Sequence, residues 1–200
     1  VIARHDPSTE RGGYPVQGIA IDSSTGWLWV VNTNQRRVLG YSPDLSETHT
    51  VTGVTAPVAL SASHEGDGLY ILDTVSRQEG RLVHYQPSTD RSTELETFAG
   101  RGRPPRYVAA LAGGGAVVAS RELVAFDRQG SELWRQRLAH PAQAVEASGD
   151  VVTVIIGTSG APARARQHAD FVENPLGRLV VYGATNGNLL TEAELRYEAG

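Results

Sequence analysis

The sequence predicts an all-β chain built from four similar four-stranded antiparallel sheets. Three observations predict it. A short strand ending in an aromatic residue recurs at near-regular spacing. Each copy is preceded by a strand that opens on proline. Outside one stretch near the end, no segment carries a helical period of apolar residues.

The recurring strands are Arg37-Val38-Leu39-Gly40-Tyr41, Arg81-Leu82-Val83-His84-Tyr85, the degenerate Glu122-Leu123-Val124-Ala125-Phe126, and Arg178-Leu179-Val180-Val181-Tyr182. Their aromatic ends lie 44, 41 and 56 residues apart, and polar turn residues follow each. Ahead of them run 15–22, 57–62, 105–111 and 141–147, opened by Pro15, Pro57, Pro105 and Pro141. A proline at a strand start forfeits little, because its missing N–H falls at the edge of the ladder. Glycine-bearing turns at 23–26, 64–68 and 113–115, and a fourth at 148–150, lead into second strands at 27–31, 69–72, 116–120 and 151–157. Small and β-branched residues on both faces suit strands held between neighbouring sheets. Outer strands at 49–53, 93–98, 132–137 and 189–197 are more polar, and the last also fits a helical turn.

Repeats of about 40–45 residues made of short strands mark a β-propeller or a related array. Each repeat is then one blade, with strands A to D running from inner to outer. The blades span 15–54, 55–100, 103–139 and 140–198 of a single domain over 1–200, and 1–14 is read as an outer strand of a closing or preceding blade. Propellers hold about 4–8 blades, so two readings stay open: a small closed ring of four, or part of a larger ring of about six.

Composition narrows the function classes. The 200 residues sum to 21.4 kDa with net charge −4 and pI near 5.9, so no global basic field draws the chain to nucleic acid or anionic lipid. Cysteine is absent, which excludes disulfides, thiolate metal sites and thiol nucleophiles. No apolar run approaches the ~18 residues of a membrane span. All 18 basic residues are arginine, whose planar fork suits carboxylate and phosphate. The chain starts at Val1, which reads as a processed protein or a piece of a longer one.

The first repeat carries a more specific pattern. Pro15, Gly18, Ile19, Ala20, Ile21, Asp22, Gly26, Leu28, Trp29, Val30, Asn32, Asn34, Arg36 and Tyr41 resemble one NHL-type propeller repeat. One extra residue before Tyr41 makes Arg36 and Arg37 compete for the family's arginine position. The second repeat matches through Pro57, Gly68, Leu69, Tyr70, Asp73, Arg81 and Tyr85, and the others keep spacing but little motif. The resemblance implies a propeller. It also implies a range of roles, from scaffolds and ligand or RNA binders to a few lyases and lactonases.

Propeller topology puts B–C and D–A loops on one edge of the blades and A–B and C–D turns on the other. The first edge collects the binding candidates Arg36, Arg77, Arg101, Arg103, Arg164, Arg166 and His168. The second collects Asp22, Asp44, Glu47, Glu65, Asp67, Asp90, Asp127 and Asp150. The expectation is an arginine-rich edge for an anionic partner; the plainer reading is ordinary solvated loop charge. Arg101, Arg103 and Arg106 alternate with glycine and proline, which lets backbone approach a ligand, though an ordinary loop needs none. The insertion 158–176, with Phe171 and Val172 amid charges, reads as a partner contact or a loose excursion.

Catalytic patterns are weak. The six histidines show no metal-ligand spacing, and residues 158–160 are no nucleophile elbow. His64-Glu65-Gly66-Asp67-Gly68 mimics a metal loop but sits where a plain hairpin turn is required. His84 reads as a packed histidine. Trp27 and Trp29 point to one side of strand B, for packing between blades, and Trp134 is expected to be partly exposed at an interface. No catalytic residue, metal or cofactor is assigned. The expected role is a non-catalytic scaffold or binding subunit, outside the cytoplasm, with protein partners in a larger assembly. An anionic ligand is a second kind of contact, nucleic acid is disfavoured, and no transmembrane segment is read. The alternatives are a metal-dependent hydrolase or lyase at a central tunnel, and an RNA-binding propeller whose affinity falls with salt.

Overall fold

The computed structural model of the chain describes residues 16–99, 104–157 and 177–195. These residues form sixteen strands in four antiparallel sheets, with no helix among them. No helix of the described residues is long and apolar enough to cross a membrane. The chain divides into two compact units, Val1–Pro104 and Pro105–Gly200.

The first unit holds two blades. Blade 1 runs β1 (Val16–Ile21), β2 (Leu28–Asn32), β3 (Arg37–Tyr41) and β4 (Thr48–Thr50). Blade 2 runs β5 (Pro57–Ala62), β6 (Leu69–Ser76), β7 (Glu79–Gln86) and β8 (Arg91–Ala99). Strands pair in sequence order within each. The registers superimpose: Ile19 faces Val30 as Leu60 faces Ile71, and Leu28 faces Tyr41 as Leu69 faces Tyr85. Both first strands carry a bulge, between Val16 and Gly18 and between Pro57 and Ala59. Val16 faces Asn32 as Pro57 faces Asp73, so the counterpart of Pro57 is Val16 and not Pro15. Strand β4 is shorter than the expected 49–53. Val51 still donates its N–H to the Val38 carbonyl, at 3.0 Å, but Gly53 then turns away at a φ of +77°.

Trp29, Val31, Val38 and Val51 of blade 1 close on Leu60, Leu69, Ile71, Val83 and Tyr85 of blade 2 to form the core of this unit. Trp27 and Trp29 stack with ring centres 5.7 Å apart, and Trp29 meets Tyr85 edge-on at 6.0 Å. Glycine at position 40 makes room, because a Cβ there would lie 2.5 Å from the Trp29 ring.

The second unit repeats the plan. Blade 3 runs β9 (Tyr107–Ala110), β10 (Ala116–Ala119), β11 (Glu122–Phe126) and β12 (Glu132–Arg137). Blade 4 runs β13 (Ala142–Ser148), β14 (Val151–Gly157), β15 (Gly177–Gly183) and β16 (Leu189–Leu195). The ambiguous last stretch is a strand: Leu179 faces Ala193 and Val181 faces Thr191. Val117, Leu123, Ala125 and Trp134 of blade 3 pack on Val152, Val154, Val180 and Tyr182 of blade 4.

Trp134 corrects the expectation of an exposed outer-strand tryptophan. It is buried, and its Nε1–H donates to the Ala184 carbonyl at 2.8 Å. Its ring lies over Gly187, where a Cβ would come within 2.7 Å. The outer strand of blade 3 thus reaches the last turn of blade 4 and closes this core.

Candidate functional site

Residues directly opposite one another in a ladder share a sheet face. On blade 2, Leu60, Leu69, Ile71, Val83 and Tyr85 form one face, and blade 1 buries it to 7% exposure or less. The matching residues of blade 1 are Ile19, Leu28, Val30, Leu39 and Tyr41. Their face also carries Ile21, the counterpart of Ala62. None of the six is buried. Ile19 is 62% exposed and Ile21 65%, and the other four are half-buried. Blade 1 thus covers this apolar surface on blade 2, while its own copy of the surface is not buried.

Blade 4 shows the converse. One face is buried against blade 3 through Val152, Val154, Val180 and Tyr182. The other carries Ala144, Thr153, Ile155, Leu179 and Val181, all half-buried, with Glu146 exposed beside them. By register Ile155 corresponds to Val31 and Leu179 to Val38, residues that blade 1 turns onto blade 2.

The arginine candidates are partly placed. Arg36 sits at a φ of +53° in the turn after β2, exposed, and Arg77 is exposed in the turn between β6 and β7. Both are B–C turns, on the same edge of their blades. Arg37 faces Asn32 as Arg81 faces Asp73, so Arg37 is the register counterpart of Arg81. Arg101, Arg103, Arg164, Arg166 and His168 lie outside the described residues, as do residues 1–15 and the insertion 158–176.

Several acidic residues hold the turns in which they stand. Asp22 is buried and accepts from Ser24 N, Ser24 Oγ and Thr25 Oγ1 at 2.7–2.9 Å. Burial opposes its ionisation, but the Ser24 and Thr25 bonds outweigh that and lower its pKa. Asp44 accepts from Ser42 and Ser46, and Asp127 from the N–H groups of Gln129 and Ser131. The 64–68 segment is the hairpin turn its position requires, with Gly66 and Gly68 at positive φ. Among the described residues no three His, Cys, Asp or Glu gather as a metal ion needs.

Two polar constellations escape the residue-by-residue reading. Asp73 accepts from Thr55 N, Ala56 N and Arg81, anchoring the loop that enters blade 2. Tyr85 donates to Asp90 at 2.9 Å, and its oxygen lies 2.5 Å from His49 Nε2 across the two blades. Burial, then Asp90, pushes the Tyr85 hydroxyl pKa upward, so it stays a proton donor. Asp73, Arg81 and Tyr85 stand at motif positions of the second repeat, and their register across β6 and β7 is the signal for the first constellation.

No protein-family model and no curated protein matches the sequence. Solved structures do match in shape. A chain of Kuenenia stuttgartiensis hydrazine synthase is similar over 97% of this chain, with TM-score 0.69 at 15% identity. A chain of the mitotic checkpoint complex is similar over 90%, with TM-score 0.63 at 12% identity. This chain spans about half the length of each, 53% and 50%. At such identity the likeness shows the fold alone, which is that of the β-propeller.

Proposed function

We propose that this chain is a non-catalytic scaffold propeller that binds protein through the open face of its first blade. One observation carries the reading. Ile19, Leu28, Val30, Leu39 and Tyr41 repeat, position for position, a face that blade 2 buries. Such a contiguous apolar patch on a soluble chain marks a protein contact. The similarity to a chain of a multiprotein complex supports it. The placement of Asn32 and Asp73 opposite Arg37 and Arg81 supports an NHL-type identity for the first two repeats.

Hydroxyl-radical labelling tests the reading. Ile19 and Ile21 should be labelled in the dilute chain and protected in its native assembly. Protection in the dilute monomer would refute it.

The exposed Arg36 and Arg77, on one edge of blades 1 and 2, favour a secondary contact with an acidic segment of the partner. Joint replacement of both by serine should then weaken assembly more at low salt than at high salt. An unchanged salt dependence would remove this contact and leave the apolar one.

A further inference from the structure

We infer that Trp27, Trp29 and Tyr85 carry an oxidising equivalent from the surface of blade 1 to a buried, hydrogen-bonded tyrosine. Trp27 is half-buried, so its indole meets a one-electron oxidant in solution. Its ring centre lies 5.7 Å from that of Trp29, which in turn lies 6.0 Å from that of Tyr85. Electron transfer between rings falls steeply with separation, and both steps join adjacent rings. Trp29 and Tyr85 are 1% and 0% exposed, which shields them from direct attack. The 200 residues hold no cysteine and no methionine. The sulfur atoms that oxidants commonly consume are therefore missing, and indole and phenol are the side chains most readily oxidised.

The two buried rings differ in what becomes of the proton. Trp29 Nε1–H is buried with no hydrogen-bond partner, so an oxidised Trp29 has no neighbour to take its proton. It stays a radical cation, which takes an electron from Tyr85. Tyr85 has the acceptor that Trp29 lacks, because it donates to Asp90 Oδ1 at 2.9 Å. That bond, ahead of the neighbouring His49, lowers the Asp90 pKa and keeps the carboxylate ionised. An oxidised phenol is a strong acid, so even this weak base takes its proton. A phenol has one proton to give. Since Tyr85 gives it to Asp90, the 2.5 Å contact between its oxygen and His49 Nε2 is one in which the imidazole N–H donates. That second bond holds the oxygen in place once its own proton has left.

The step balances. The oxidant takes one electron from Trp27, Trp27 takes one from Trp29, and Trp29 takes one from Tyr85. The O–H bond of Tyr85 breaks, its proton passes to Asp90 Oδ1, and a neutral tyrosyl radical remains. The Asp90 and His49 side chains are 50% and 34% exposed, so a small one-electron reductant such as ascorbate reaches this end of the path. It returns the electron, and Asp90 returns the proton.

The experiment mixes the purified chain with hexachloroiridate(IV), a one-electron oxidant, freezes the mixture rapidly and records its electron paramagnetic resonance. The native chain should show a tyrosyl signal that Tyr85→Phe removes, leaving a tryptophan signal in its place. Trp27→Phe takes away the entry and should lose the Tyr85 signal. Asp90→Asn keeps a hydrogen-bond acceptor that does not take the proton, and should lose it too. Circular dichroism checks that each variant is folded. If Tyr85→Phe fails to fold, the variants at the half-buried Trp27 and the exposed Asp90 carry the test.

A native chain that yields no protein radical overturns the inference. So does a tyrosyl signal that survives Tyr85→Phe at full strength, since the radical then sits on another tyrosine. A Tyr85 signal unchanged by Trp27→Phe overturns it because the electron bypasses the indoles. One unchanged by Asp90→Asn overturns it because the proton leaves by another route.

Discussion

Arg81 closes a carboxylate clamp on Asp73. Its Nε and Nη2 donate to Asp73 Oδ2 at 2.9 and 2.8 Å, and Nη2 also reaches the Gly53 carbonyl at 2.8 Å. The Asp73 side chain is fully buried while that of Arg81 is 22% exposed. The backbone N–H groups of Thr55 and Ala56 complete the set. The loop from blade 1 to blade 2 thus ends on one buried anion. Removing Arg81 leaves that anion without its counter-charge, which costs about 3–5 kcal/mol for a buried pair. Arg81→Ala should lower the urea-unfolding free energy by about that amount. Asp73→Ala with Arg81→Ala should cost less than the two singles summed, since they share one interaction. Full additivity would show that the clamp is not a unit.

Gly68 and Gly115 occupy matching places before the second strands of blades 2 and 3. Their φ angles are +145° and +87°, and a Cβ at either would lie 2.1 Å from the carbonyl oxygen of the facing aromatic, Tyr85 or Phe126. Side-chain-bearing residues pay about 1–3 kcal/mol for such backbone even without a clash. Gly68→Ala and Gly115→Ala should each destabilise by at least that much in thermal or urea unfolding. Gly113, with open space where its Cβ would stand, is the control, and Gly113→Ala should stay within about 1 kcal/mol of native.

Trp134 ties blade 3 to the last turn of blade 4. Trp134→Phe keeps most of the ring but removes the donor to Ala184, and should cost about 1 kcal/mol in urea unfolding. Trp134→Ala also opens a cavity over Gly187 and should cost about 3–5 kcal/mol. Equal costs would mean that the ring contributes no packing.

Strand positions were legible because side chains alternate with the backbone period. The expected 37–41, 57–62, 122–126 and 132–137 coincide with β3, β5, β11 and β12. What alternation cannot show is which neighbour covers a face. Leu39 and Val83 read alike in their repeats, yet Val83 is buried and Leu39 is not. Trp134 was misplaced for the same reason, since its partner lies 50 residues away. Asp22 reads as surface charge because composition does not show direction, yet it is buried. Asp22 and Asp44 fold back onto serines two residues away.

The Asp44 carboxyl is held at about 2, against an ordinary 3.8, chiefly by the Ser42 hydroxyl and then by Ser46. A depressed acid stabilises the fold above its unfolded pKa, and that contribution is lost as pH falls through the folded value. Carbon-detected NMR should therefore show Asp44 titrating near pH 2. Ser42→Ala should move that midpoint up towards the ordinary value. A native midpoint near 3.8 would mean that the hydroxyl bond does not form in solution.

His84 supplies a pH dependence in a higher window. It is buried, stacks on Tyr70 at 4.8 Å, and holds Nε2 3.9 Å from Asp67 Oδ1. Burial lowers its pKa below the ordinary 6.5, and Asp67 offsets only part of that. Above pH 6.5 both folded and unfolded chains carry it neutral, so it adds no slope there. As pH falls below 6.5 the unfolded chain takes up a proton first, and stability declines until the lowered folded pKa is reached. His84→Phe keeps a ring against Tyr70 and has no proton to bind. Measured by urea unfolding, its stability relative to the native chain should therefore rise as pH drops below 6.5. A pH-independent difference would mean that His84 titrates alike folded and unfolded.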